Sequence, residues 1–181
     1  DLVELETAPP RLRARILGEV DMPDDPLLRL KQLIEDEFST LEIIIEDVES
    51  ALAQFADPTN PKQYEMQALG SYLHQFYNGI EGILERIATQ IDRHVPRGEH
   101  SHAELLQQMS EAQGDLRPAV VDSVLWFQLD ELRRFRNFFR HAYGHKLIWE
   151  KLRRNVEAMR PVLAQLRAQL TVFFEQQTRG K

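Results

Sequence analysis

The feature that most constrains this chain is a run of apolar residues at alternating spacings of four and three. Ile34, Phe38, Leu41, Ile45, Val48, Leu52 and Phe55 follow it without a break. A helix turns once every 3.6 residues, so this spacing draws a single apolar seam along one side, as in bundles and coiled coils. The spacing returns in Leu69, Leu73, Phe76, Ile80, Ile83 and Ile87. Spacings of four and three, in less regular order, recur in Val121, Leu125, Leu129, Leu132, Phe135 and Phe139, and in Ile148, Leu152, Val156, Met159, Leu163, Leu166, Leu170 and Phe173. Nothing reads as a strand. The pattern predicts an all-α protein, an antiparallel bundle of four long helices plus one short helix.

Local signals set the expected boundaries. The first helix runs from Pro26 to Phe55 and ends at Asp57-Pro58-Thr59-Asn60-Pro61, because proline cannot continue a helix and suits the first turn of the next. The second, from about Lys62 to Asp92, carries a matching seam, so the two form a hairpin. Gly70, Gly79 and Gly82 each cost it up to about 1 kcal/mol relative to alanine, which close helix–helix approach would explain. A loop, Arg93 to His102, leads to a short helix, Ala103 to Ala112, for which Ser101 and Glu104 form a capping box. The fourth helix is expected from Pro118 to Tyr143 with Gly144 as its stop. The fifth runs from Lys146 to Gln176, with a possible bend at Pro161. The division is an N-terminal arm (1–25, with one short helical turn at Arg11–Leu17), a helical domain (26–176) and a C-terminal tail (177–181).

At 181 residues the chain is one domain by length. It has no cysteine, which excludes disulfides, thiolate zinc sites and a cysteine nucleophile. No run approaches a membrane span, and the acidic first residues are the reverse of a basic signal peptide, so a soluble, cytoplasmic protein is expected. The formal net charge of −7 argues against a general nucleic-acid coat protein. Its distribution is uneven. Residues 21–57 hold eleven acids against Arg29 and Lys31, whereas residues 131–154 hold eight basic side chains against Glu131 and Glu150, a local net of +6. The acids read as a solvated face or as a surface complementary to a basic partner.

Within that basic region lies Arg136-Asn137-Phe138-Phe139-Arg140-His141-Ala142-Tyr143. It places a phosphate-binding cation, a group that titrates near neutral pH and a modifiable phenol within about two helical turns. Arg133, Arg136, Arg140 and Tyr143 share one flank. Asn137 and His141, four apart, share a neighbouring face, where the amide can fix the imidazole tautomer. Arg136 and His141 fall about 140° apart, so one straight helix does not aim both at one atom. Metal-free RNA cleavage needs a base for the ribose 2′-hydroxyl, an acid for the leaving 5′-oxygen and a cation for the phosphorus oxygens. A two-fold dimer supplies two histidines and several arginines in one cleft. His94, His100 and His102 with Glu99 raise a metal reading, but a lone Glu-x-x-His beside proline and glycine lacks the paired motifs of the metal bundles, so no metal is assigned.

Arg136-Asn137-x-x-x-His141-x-Tyr143 resembles the Arg-(polar)-x-x-x-His-x-Tyr signature of HEPN domains, specifically the HepT-like toxins of toxin–antitoxin pairs. The similarity extends through helix order over residues 26–176. The resemblance implies a metal-independent endoribonuclease, without cofactor, that dimerises to build its site. Arg136 and His141 are then the catalytic pair, Asn137 and Arg140 support them, and Arg133 and Arg134 bind RNA phosphate. It also implies a type II/VII-like system in which a minimal nucleotidyltransferase antitoxin transfers AMP to Tyr143. AMP would add bulk and negative charge beside Arg136 and Arg140, competing with RNA. The alternative is a non-catalytic helical partner or substrate-binding subunit of a nucleotidyltransferase.

Overall fold

The computed structural model describes residue 13 and residues 23–141 and 147–179. Five helices follow one another: α1 (Pro26–Ala53), α2 (Gln63–Ile87), α3 (Ser101–Ser110), α4 (Ser123–His141) and α5 (Trp149–Arg179). Among the described residues there is no strand, and no helix is long and apolar enough to cross a membrane. Most of the N-terminal arm, Tyr143 and the stop at Gly144 lie outside the described residues.

The predicted seams form the core. Ile34, Phe38, Leu41, Ile45 and Val48 of α1 are buried against Leu69, Leu73, Phe76, Ile80, Ile83 and Ile87 of α2, with Leu52 and Phe55 partly covered. Each such side chain contributes roughly 1.5–3 kcal/mol of transfer free energy. α2 is the central element and packs against all four other helices. Asp25 starts α1 by accepting the backbone N–H groups of Leu27 (2.7 Å) and Leu28 (3.1 Å), with Pro26 at the first helical position. Glu65 starts α2 by accepting the Lys62 N–H at 2.6 Å.

Part of the acidic face is consumed inside the molecule. Glu35, Glu42 and Glu49, seven apart on α1, meet Arg167 and Arg160, seven apart on α5, at 2.8–3.0 Å. These exposed pairs align the two helices and stabilise by at most about 1 kcal/mol each.

Four expectations are corrected. α4 begins at Ser123, because Val120 and Val121 are buried in a non-helical segment whose N–H groups donate to the Met109 carbonyl (2.8 and 3.2 Å), and Asp122 then caps Leu125 N–H at 2.8 Å. Ser101 is the first residue of α3 instead of its cap; the His100 carbonyl accepts from Ala103 and Glu104, and the capping box does not form. Ile148 lies before α5 and is exposed. Close approach accounts for Gly70, where a methyl group would run into the Phe139 ring, and for Gly79, where it would meet Leu41 Cδ2 at 2.7 Å, but Gly82 faces only Arg86 of its own helix.

The end of α2 is not a plain α-helix. Ala88–Asp92 forms a π turn, closed by Arg93 at φ 56°. The wider turn changes the facing of its residues, and the Asp92 carboxylate is buried against Arg117. Arg117 is only 2% exposed. Its Nε meets Asp92 Oδ1 at 2.5 Å, and Nη2 meets Asp92 Oδ2 at 2.7 Å and the Gln108 carbonyl at 3.0 Å. Nη1 donates to the carbonyls of Glu111 (2.8 Å) and Pro118 (3.0 Å). All five donors of the guanidinium are used. This clamp fixes α3 and the start of α4 onto α2, and so positions everything downstream.

Candidate active site

The C-terminal half of α4 distributes its chemistry to two sides. Leu129, Leu132 and Arg136 turn inward, while Asn137, Arg140 and His141 are exposed. Arg136 is 9% exposed, an unusual placement for an arginine unless it is paired. Phe139, one turn on, lies against Gly70 of α2 and stacks on Phe135, which draws this end of α4 onto α2.

Arg136 enters a polar network supplied by three helices. Its Nε donates to Asn78 Oδ1 at 3.0 Å, its Nη1 contacts His102 Nε2 at 3.1 Å, and its Nη2 lies 3.6 Å from Glu81 Oε2. His102, in the first turn of α3, contacts Glu81 Oε1 through Nδ1 at 2.6 Å. On the far side of Asn78, its Nδ2 contacts His74 Nε2 at 3.1 Å. The order His74–Asn78–Arg136–His102–Glu81 is thus a continuous chain of polar contacts. His74, Asn78 and Glu81 come from one face of α2, four and three residues apart.

The chemistry of each member follows from its neighbours. Guanidinium and amide N–H groups only donate, so His102 Nε2 and His74 Nε2 are acceptors and carry no proton. His102 therefore donates Nδ1–H to Glu81. Burial holds the His74 imidazole below its ordinary pKa, and the positive charges of Arg136 and Arg140 push it further in the same direction, against the opposing pull of Glu81. Burial, reinforced by Glu81, raises the Tyr77 phenol far above its ordinary value, so it stays protonated.

The other residues singled out by sequence are placed apart from this network. Arg133 and Arg134 both bind the buried Asp130, with contacts of 2.7 Å each. Asn137 and His141 are exposed, and among the described residues no hydrogen bond joins them. Another side of α4, with α5, walls a cleft of about 860 Å³ lined by Arg134, Phe135, Phe138, Ile148, Lys151 and Arg154. Its lining combines these cations and aromatic rings with aliphatic side chains and one acid, Glu131. His102 turns toward Glu81, and among the described residues no group of three or more His, Asp or Glu side chains converges as a metal site.

Sequence reasoning missed His74, Asn78 and Glu81, and weighed His102 only as a metal ligand. A signal was present: polar side chains at four- and three-residue spacing interrupt a strongly apolar helix. Their common target, Arg136, is set by tertiary packing.

Comparison with curated proteins and with solved structures returns no match. The family model for HepT-like proteins, by contrast, matches residues 68–177, more than half of the chain, from α2 through nearly all of α5, including the whole network around Arg136. With the helical bundle and the Arg136…His141 motif at the end of its penultimate long helix, the match establishes that the chain belongs to the HepT-like family of the HEPN superfamily.

Proposed function

We propose that this chain is a metal-independent endoribonuclease that works as a homodimer, with Arg136 and His141 at a site completed by two copies of α4. The observation that carries the reading is the burial of Arg136 in a network of two imidazoles, an amide and a carboxylate. A packing role alone does not call for that set of groups in an apolar bundle. The inward Arg136 and the outward His141 support a composite site, since a second copy can present its imidazole where this copy presents its guanidinium. Val124, Phe127 and Phe138 expose 44–66% of their surface along α4, apolar area of the kind a partner covers. The cleft between α4 and α5 suits a single-stranded RNA, with Phe138 for stacking and Arg134, Lys151 and Arg154 for phosphates. Arg140 and Asn137 flank the site.

In this reading the chain is the toxin of a two-component pair. Its partner is a minimal nucleotidyltransferase that silences it by placing AMP on Tyr143, close in sequence to the cations that RNA needs. The 26–176 segment forms the working domain, the 1–25 arm being appended to it.

The test is RNA cleavage by the purified protein, alongside growth arrest on expression. His141→Ala is expected to remove both while leaving helicity unchanged, because the exposed side chain holds nothing in the core. Cleavage by His141→Ala at the parental rate would reject the catalytic assignment. A parental protein that cuts no RNA would leave the second reading, a helical subunit that binds substrate for a nucleotidyltransferase.

A further inference from the structure

We infer that His102, oriented by Glu81, is a second proton-transfer residue of the site, the base that activates the ribose 2′-hydroxyl of an RNA held on Arg136 of the same chain. The inference rests on the ribonuclease reading and deepens it. The motif on α4 provides one imidazole per copy, and His141 points away from Arg136. The structure places a different imidazole on that arginine: His102 Nε2 lies 3.1 Å from Nη1.

Three features give His102 the form of a base. Its Nε2 carries a lone pair, since Arg136 can only donate to it. Its Nδ1–H is fixed on the Glu81 carboxylate at 2.6 Å, the arrangement in which a carboxylate sets an imidazole's tautomer and then stabilises the cation it becomes. Its side chain is 36% exposed, while those of Glu81 and Arg136 are 8% and 11%, so of these three His102 is the one that solvent and substrate reach most readily. The groups facing it are Glu81 from α2 and Arg136 from α4. Asn78 and His74 lie on the Nε side of the arginine, and the protonated phenol of Tyr77 lies near Glu81.

Substrate binding and base release are linked through Arg136. Before RNA arrives, the Nη1 donor occupies the His102 lone pair. When a phosphate takes the Nη donors, the guanidinium gives up that contact, and Nε2 is freed beside the bound nucleotide. The lone pair then removes the 2′-hydroxyl proton as that oxygen forms its bond to phosphorus. The bond from phosphorus to the 5′-oxygen breaks, and the 5′-oxygen takes a proton from His141 of the partner subunit. A 2′,3′-cyclic phosphate and a 5′-hydroxyl result, and the new imidazolium at His102 rests on Glu81.

His102→Gln is the discriminating variant. A glutamine can donate to Glu81 and accept from Arg136, so it keeps the bracket around the arginine but cannot take up a proton. The expected result is a fall of roughly 100-fold or more in single-turnover cleavage. RNA affinity should stay within about three-fold, and one limb of the pH–rate profile should disappear, since an amide takes up no proton. His102→Asn serves the same purpose if the glutamine variant does not fold. Cleavage near the parental rate, or a loss of RNA affinity that matches the loss of rate, overturns the inference and makes His102 a support for Arg136. A parental protein that cuts no RNA rejects the ribonuclease reading itself, a result distinct from either.

Discussion

Two buried arginines, Arg117 and Arg136, face buried carboxylates within the same bundle, and they do opposite things. Arg117 is closed. Two contacts of 2.5 and 2.7 Å bind it to Asp92, and backbone carbonyls take the remaining donors, none of which can move without unfolding the end of α3 and the segment that leads to α4. Arg136 is open. Its carboxylate lies at 3.6 Å, its other partners are an amide and an imidazole, and both of those are side chains on the rim of the network. A cation whose donors end on fixed backbone is architectural, whereas one whose donors end on exchangeable side chains can hand them to a phosphate. The pairing partner alone, an acid in each case, does not separate the two.

The largest test of this contrast compares Arg117→Met with Arg136→Met by urea denaturation. Removing Arg117 leaves the buried Asp92 carboxylate without its cation, with the Gln108 amide still donating to it at 2.5 Å, beside carbonyls that have also lost their donor, and about 3–5 kcal/mol of stability is expected to go. Removing Arg136 leaves Glu81 still paired with His102, so the loss should be nearer 1–3 kcal/mol. Equal losses for the two variants would break the distinction.

A smaller effect isolates the open network. Gly70 allows the Phe139 ring to touch α2, one turn beyond the point where Arg136 reaches Asn78. Gly70→Ala sets overpacking of about 1–3 kcal/mol against a helix-propensity gain of about 1 kcal/mol. A net loss of up to about 2 kcal/mol is expected, with weakened RNA binding. Gly82, whose added methyl would meet only Arg86 at 3.4 Å, should instead gain up to about 1 kcal/mol as alanine. Matching signs for the two variants would show that the end of α4 is not seated by Gly70.

What could be read in advance divides along the same line. The four seams and the Asp25-Pro26 start of α1 are local, so spacing and capping chemistry display them. The clamp is not local: the π turn has no residue signature, and Asp92 and Arg117, 25 residues apart, are brought together by the packing of α3 that lies between them in sequence. Val121 continued the helical period of α4 by coincidence, since its N–H and that of Val120 were taken by the Met109 carbonyl. The network is an intermediate case. His74, Asn78 and Glu81 sit at helical spacing in plain view, and the 140° between Arg136 and His141 already separated those two, yet neither pattern names His102, which lies 34 residues from the arginine it touches.

The smallest effect probes the outer arm of the open network through pH. His74 has a folded-state pKa below its ordinary value, so on acidification the unfolded chain takes up the proton first. Its contribution to stability is therefore complete above about 6.5 and is lost as pH falls from there toward the lowered folded value. No titrating side chain of this type sits among the contacts of Arg117, so this arm should weaken in mild acid while the clamp holds. His74→Gln keeps an acceptor for Asn78 without the titration, and its stability should fall less steeply than the parent's below pH 6.5. Parallel slopes would mean that His74 is not coupled to Arg136, and that the network ends at Asn78.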